Sequence, residues 1–399
     1  MKFIEYLIPV FIILILFEIG YNYWNKKNYY SLPDSLSSMS LGIISRLTDL
    51  FVLGFMYQIY LYLAGSYTVS FWNSIPPFIF YPSQISSFNI DISMEILWIW
   101  IIFSWSFLFL TLDFLFYWNH RFSHEINILW ASHVAHHSSE EYNLTVALRQ
   151  SFLRNGIALI FYSLFALLSV PWHIMLLVDA TNRLYQFWVH TRFIKKLPAW
   201  FEFIFVTPSH HRVHHARNPE YLDKNYAGVF IFWDRLFGSF QNEENEPQYG
   251  IVKPLNSFNP ILANLHTFYG ILKALMQEYS WRNKLIFVFG RPGALVQNQE
   301  INSIKNQNTV SKLSESKPKS NSVSIPKSIS KPKAPSFPQP FPMVIASMIF
   351  IVLIILSLIT IRTSNNYNTL NLGFIYLSLL IGYGVSGYYL DRNFLRKFT

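Results

Sequence analysis

"ILWIWIIFSWSFLFLTLDFLFYWNHRFSHE", residues 96–125, is apolar from Ile96 to Tyr117 with Asp113 as its one charged residue, and it closes on His120-x-x-x-His124. A helix that crosses a bilayer needs roughly 20 predominantly apolar residues. The stretch meets that length and predicts a span. Residues four apart share a helix face, so its end should carry two imidazoles pointing the same way. By the same measure Phe3–Gly20, Leu41–Leu63, Ile157–Val178, Met343–Ile361 and Leu370–Leu390 are further spans, while the 71–83 stretch is too interrupted by proline to count. With 52% hydrophobic and only 13% charged residues, the chain is too apolar for an ordinary soluble protein of 399 residues. The expected fold is an all-α, multi-span transmembrane helix bundle.

Charge and punctuation divide the chain. No small-residue cleavage site follows Phe3–Gly20, since Tyr21–Trp24 come next, so residues 1–30 read as a retained membrane anchor. Residues 301–341 hold seven lysines, one glutamate, ten serines and six prolines. Such a segment cannot bury a core, so 296–341 reads as a disordered linker. It contributes most of the net charge of +9, and that charge suits anionic lipid rather than nucleic acid. The positive-inside rule puts the linker in the cytosol, with 342–399 as a hairpin that returns to the same side. Residues 31–295 are left as the main domain. The absence of cysteine excludes disulfides, iron–sulfur clusters and thiolate chemistry.

Nine of the twelve histidines fall into three clusters: His120 and His124; His133, His136 and His137; and His210, His211, His214 and His215. On helices, His133, His136 and His137 should point together, as should His211, His214 and His215. Eight imidazoles exceed the need of one metal ion and suit two, and imidazole serves iron, zinc, copper or nickel. His210 lies beside the 211/214/215 face. Lone His173 and His266 read as ordinary surface or hydrogen-bonded residues.

The order HxxxH, HxxHH, HxxHH on membrane helices resembles the fatty acid hydroxylase/sterol desaturase superfamily of di-iron membrane oxygenases. Within it, "HRFSHEINILWASHVAHHSSEEYNLTVALRQS", "LYQFWVHT", "TPSHHRVHHARNPEYLDKNYAGVFIFWDRLFGSF" and "YGIVKPLNSFNP" are similar to the alkylglycerol (glyceryl-ether) monooxygenase family. The resemblance covers residues 30–290. It implies two iron ions held by His120, His124, His133, His136, His137, His211, His214 and His215, and tetrahydrobiopterin as reductant. His190 falls where relatives place a further ligand, although their histidine four residues earlier is Gln186 here. Glu125 resembles an acidic residue of the ether-lipid enzymes linked to pterin use, a cofactor-binding and catalytic candidate. Glu140, Glu141, Tyr142, Arg149 and Gln150 belong to the same family-specific stretch and are expected to orient ligands or line the pocket. The resemblance also implies an endoplasmic reticulum membrane protein whose di-metal site faces the cytosol.

Asp113 lies two turns before His120 on one face, and a carboxylate there is expected to orient a ligating imidazole. Asp179 and Arg183 can form an i,i+4 ion pair. Gly382, Gly384 and Gly387 match a dinucleotide fingerprint, yet they sit in an apolar span, where small residues serve helix packing. The Asn143-Leu-Thr145 sequon should stay unmodified. No nicotinamide, flavin or haem signature is visible, so electrons must come from outside the chain. Three functions are weighed: ether-lipid cleavage, sterol or fatty-acyl oxidation on the same scaffold, and metal transport. Transport sites lie near the bilayer midplane, whereas these clusters sit at span ends.

Overall fold

The computed structural model of the protein describes residues 2–66, 94–168, 170–293 and 341–395. The 71–83 stretch, residues 296–340 of the linker and the Arg396–Lys397 tail lie outside them. The described residues are almost all helical, with two isolated bridges and no strand. Three long helices open the chain: α1 (Lys2–Trp24), α2 (Leu32–Ser66) and α3 (Met94–Glu125). Three single turns follow, α4 (Asn127–Trp130), α5 (Val134–His137) and α6 (Leu144–Ala147), then α7 (Arg154–Leu167) and α8 (Trp172–Trp188). Next come α9 (Ala199–Ile204), α10 (Pro208–His214), α11 (Phe232–Leu236), α12 (Pro260–Met276) and α13 (Trp281–Phe289). The pair α14 (Phe341–Thr363) and α15 (Thr369–Leu395) ends the chain.

Among the described residues, four helices are long and apolar enough to cross a membrane: Leu32–Gly65, Trp98–Glu125, Val344–Asn366 and Thr369–Asp391. They overlap four of the spans expected from sequence. Phe3–Gly20 is helical within α1, but the apolar part described, Pro9–Trp24, falls in the shorter class. The expected span Ile157–Val178 is not one helix. It breaks between α7, 14 residues long, and α8, 17 residues long. Pro171 has no N–H to offer a continuing helix and pushes the residue before it out of helical conformation. The carbonyl of Val170 accepts instead from the Tyr60 hydroxyl of α2 at 2.6 Å. Around that break Tyr60, Leu108, Leu112, Phe165 and Val178 form one buried apolar cluster joining α2, α3, α7 and α8.

The α14–α15 pair packs on α2, where Leu36, Ile44 and Leu47 meet Phe350, Leu379, Tyr383 and Leu390. Gly382 and Gly387 let α15 approach closely. A Cβ at Gly387 would lie 2.7 Å from Asn259 of the α12 cap, and one at Gly382 would lie 2.9 Å from Leu353. The fingerprint is thus a packing stripe, as its apolar setting suggests. The Asp391 carboxylate accepts from Phe258 N at 2.6 Å, fixing the turn that starts α12. Since α12 in turn lies on α5, the hairpin braces the layer that carries the histidines.

Candidate metal centre

Each histidine is placed by a short-range cause. His120 and His124 sit one turn apart at the end of α3. His133 is the N-cap of the one-turn α5, which carries His136 and His137. His190 comes just after α8. In α10, Pro208 fits the first turn because its missing N–H has no partner there, and Thr207 with His210 forms a reciprocal cap. His210 is spent on that cap, in line with its expected position off the site.

Two groups result. His120, His124, His133, His137 and His214 have ligand atoms all within 4.8 Å of one another, and His136, His190, His211 and His215 form a second group by the same measure. All nine are buried. The partition corrects the expectation that each sequence cluster faces one way. The i,i+4 pairs 120/124, 133/137 and 211/215 stay together, but His136 parts from His133 and His137, and His214 parts from His211 and His215. Adjacent helical residues diverge by about 100°. So α5 and α10 each lie between the two groups and feed both. His190 joins the second group.

Backbone carbonyls orient the rings. Nδ1–H donates to Tyr226 O from His120 at 2.7 Å, to Arg149 O from His136 at 2.8 Å, to Gln186 O from His190 at 2.9 Å and to Lys224 O from His214 at 3.0 Å. That tautomer leaves the Nε2 lone pair free to ligate. The Nε2 atoms converge: His120 and His133 at 3.0 Å, His133 and His137 at 3.1 Å, His190 and His211 at 3.1 Å. The Nε2 atoms of His124, His214 and His215 are buried with no hydrogen-bond partner. Burial also holds the imidazoles beyond α3 uncharged, pushing His214 down to about 4, His190 to about 3 and His133, His136, His137, His211 and His215 well below 6.5. Converging neutral donors with unpartnered nitrogens fit one cation per group.

Residues 105–239 match the fatty acid hydroxylase family, an interval that encloses all nine grouped histidines. The chain is 40% identical over 286 residues to the alkylglycerol monooxygenase of Homo sapiens, covering 71% of this chain and 58% of that protein. To the alkylglycerol monooxygenase of Xenopus tropicalis it is 36% identical over 291 residues, 73% of this chain and 59% of the relative. A more distant match, 27% over 190 residues, covers 47% of this chain and 54% of the ornithine lipid hydroxylase OlsE of Rhizobium tropici. The chain thus spans about three-fifths of the length of its nearer curated relatives. No solved structure matches it.

The residues supporting these histidines differ in part from those expected. Asp113 touches no imidazole. Its carboxylate accepts from Asn182 Nδ2 at 2.8 Å, Val229 N at 2.9 Å, Phe230 N at 3.1 Å and Trp233 Nε1 at 3.1 Å. It therefore acts at one remove, holding the loop whose Tyr226 carbonyl orients His120. Asp234 grips the same loop from the other side, accepting from Tyr226 N and Ala227 N. Arg149 is fully buried and donates to Ala135 O at 2.7 Å and to Ser37, Ser38 and Ser138, with Asp34 at 3.8 Å. It clamps α5 rather than lining a pocket, and its own carbonyl orients His136. Tyr142 stacks on His190 and Tyr249 and donates to Val189 O. Glu141 pairs with Arg192, Gln150 with Arg154, and Glu140 is exposed.

Asp179 and Arg183 form the ion pair, at 2.8 Å. Asn143 caps α6 and donates to Tyr29 O, a buried duty that leaves no room for a glycan. His266 bonds carbonyls of its own helix, and neither it nor His173 joins a group. Glu125 lies outside both groups and pairs with Arg121 at 3.2 Å and Arg291 at 3.5 Å. Sequence reading missed Glu18, a buried α1 carboxylate that accepts from Leu144 N, Tyr30 and Thr191, tying α1 to the residue after His190. Its one signal was an acid inside an apolar run.

Proposed function

We propose that the protein is a membrane monooxygenase that opens ether lipids by hydroxylating the alkyl carbon next to the ether oxygen. One oxygen atom of O2 enters that C–H bond and the other leaves as water, with two electrons and two protons supplied by reduced tetrahydrobiopterin. The product hemiacetal then collapses to a fatty aldehyde and a free glycerol hydroxyl. The observation that carries this reading is the pair of buried neutral imidazole groups inside the interval that matches the hydroxylase family, in a chain related to alkylglycerol monooxygenases. Iron held by His120, His124, His133, His137 and His214 on one side, and by His136, His190, His211 and His215 on the other, would supply O2 activation.

The chain's own residues do the rest. Carbonyls of Tyr226, Arg149, Gln186 and Lys224 fix the ring orientations, and the apolar packing of α2, α3, α7 and α8 keeps bulk water away. A small cleft lined by Phe116, Asn119, His120, Ser123, His133 and Ile157 reaches the five-histidine group between α3 and α7. Glu125, beside His124, is our candidate partner for the pterin, at a site facing the cytosol of the endoplasmic reticulum membrane. The test is direct. Microsomes containing the protein receive an alkylglycerol, with tetrahydrobiopterin supplied or withheld, and fatty aldehyde is measured. Pterin-dependent aldehyde supports the reading. Hydroxylated lipid with an intact ether bond would favour the second reading, acyl or headgroup hydroxylation, which the ornithine lipid hydroxylase relative keeps in view. Exchangeable metal without turnover would favour transport.

A further inference from the structure

Beside the α10 histidines lies an apolar surface that neither the spans nor the proposed chemistry accounts for. Trp200 (66% exposed), Phe203 (63%) and Ile204 (39%) of α9 and Leu236 (68%) of α11 are exposed, and the Arg235 guanidinium of α11 lies over the Phe203 ring at 5.1 Å. An antiparallel bridge between Phe205 and Phe230 joins the two segments, with Val206 N donating to Val229 O at 2.8 Å and Ile231 N to Ile204 O at 3.0 Å. The joined element does not sit beyond the end of α3. It lies back along it: Phe237 meets Trp118 at 4.9 Å, Trp233 meets Phe114 at 5.1 Å and Phe230 meets Phe109 at 6.0 Å. From Phe109 to His120 a helix rises roughly 16 Å. The element therefore runs beside the apolar part of a spanning helix.

Irregular backbone survives at such depth only where its polar groups are satisfied within the protein. Here the Asp113 carboxylate takes the N–H groups of Val229 and Phe230 and the indole N–H of Trp233. A loop in water would have no need of a buried acid for this. We propose that residues 199–206 and 228–237 form a wedge sunk into the lipid leaflet on the metal-centre side of the membrane. The charges agree with that occupant. Exposed Lys195 and Lys196 precede α9 and exposed Arg235 flanks Leu236, while Glu202 turns inward to accept from Leu197 N at 3.0 Å and Thr207 Oγ1 at 3.3 Å. The rim is positive, as anionic headgroups require, and the long basic side chains can reach the headgroup level over apolar stems. The wedge leads through Thr207 directly into α10, so it pins His211, His214 and His215 at the membrane boundary. It does not depend on which lipid is oxidised, or on oxidation at all.

The chain has no cysteine, so single cysteines can be read without background. Trp200→Cys, Phe203→Cys and Leu236→Cys, with Glu244→Cys in an exposed loop as control, are placed in the 399-residue chain in phosphatidylcholine/phosphatidylserine vesicles. Two quantities are read: modification by a water-soluble maleimide, and quenching of an attached fluorophore by nitroxides on lipid acyl chains. The three wedge positions should lose maleimide reactivity and be quenched, while Glu244→Cys should react and escape quenching. Because these side chains are exposed, the variants should keep the parent's bound metal, which verifies folding. Free reaction at the wedge without quenching overturns the proposal. Protection from both reagents also overturns it, since a protein surface such as a second copy would then cover the patch.

Discussion

The two histidine groups are built by different means. Two of the five imidazoles in the first group ride on α3, a helix positioned by apolar contacts along its length. The four of the second group ride on no span. They come from α5, from the turn after α8 and from α10, elements of a few residues each that are too short to hold themselves. Buried polar clamps take over there: Arg149 with Asp34 on α5, Glu18 with Thr191 beside His190, and Tyr142 on the His190 ring. The first group takes two of its five imidazoles from the membrane scaffold and three from α5 and α10, whereas the second depends wholly on short elements and on a polar network that must be satisfied in full.

The largest break in this comparison comes from the ligands themselves. His124→Ala removes a nitrogen from the first group and His215→Ala one from the second. Each is expected to reduce bound metal by half and to abolish turnover, measured by elemental analysis of purified protein and by product formation. His173→Ala and His266→Ala should leave both unchanged. Full metal content together with turnover in either ligand variant would break the two-group assignment.

Next in size is Arg149→Leu. The guanidinium is fully buried, and removing it leaves the Asp34 carboxylate without its cation and with Ser139 Oγ as its remaining donor, while the Ala135 carbonyl keeps only Ser138 Oγ as a side-chain donor. Breaking a buried pair in this way costs about 3–5 kcal/mol. Thermal unfolding in detergent should show that loss, and the second group should release its metal before the first. Simultaneous release would mean that α5 holds both groups equally and that the contrast between them is too sharp.

That contrast also explains what the sequence disclosed. All nine grouped histidines are visible because imidazoles are conspicuous in an apolar chain, and the i,i+4 pairs are right because one turn separates them. The partition is hidden, because it depends on α5 and α10 lying between the groups, and no spacing reports where a one-turn helix docks. Apolarity alone read Ile157–Val178 as a span, since a hydropathy window does not register that Pro171 ends a helix. Arg149 was expected to orient a ligand or line the pocket, and its clamp on α5 stayed hidden because its partners, Asp34, Ser37 and Ser38, lie more than a hundred residues earlier. Asp113 was correctly singled out as a costly acid, but its partners are the backbone of a loop that the sequence alone does not bring to it.

Asp113→Asn tests the first group through its scaffold. An amide in place of Oδ2 would turn a donor toward Phe230 N and Trp233 Nε1, which now donate to that oxygen. Leaving such buried groups unsatisfied costs about 1–3 kcal/mol. The Tyr226 carbonyl should shift and loosen His120, weakening metal binding in the first group by about 10–100-fold, as loss of an orienting contact does. The second group should hold its metal at parent affinity in a competition titration with a chelator. Equal weakening of both would show that the loop supports the centre as a whole.

Glu125→Ala is the mildest change and the most informative about where electrons enter. The carboxylate follows His124 and so points about 100° away from the ligating face. Its ion pairs with Arg121 and Arg291 are partly exposed, and such pairs contribute only about 0–1 kcal/mol. Stability and metal content should therefore stay near those of the parent. A pterin ring presents N–H donors that a carboxylate accepts more strongly than a neutral group does. Losing that contact is expected to raise the apparent Michaelis constant for tetrahydrobiopterin on the order of tenfold, equivalent to about 1.4 kcal/mol. Because Glu125 adjoins the five-histidine group alone, that outcome would assign reduction to the first group. An unchanged constant would leave Glu125 as the anchor of Arg121 and Arg291 and move the pterin elsewhere. Loss of metal would instead make the carboxylate a ligand, contrary to the separation seen between it and the imidazoles.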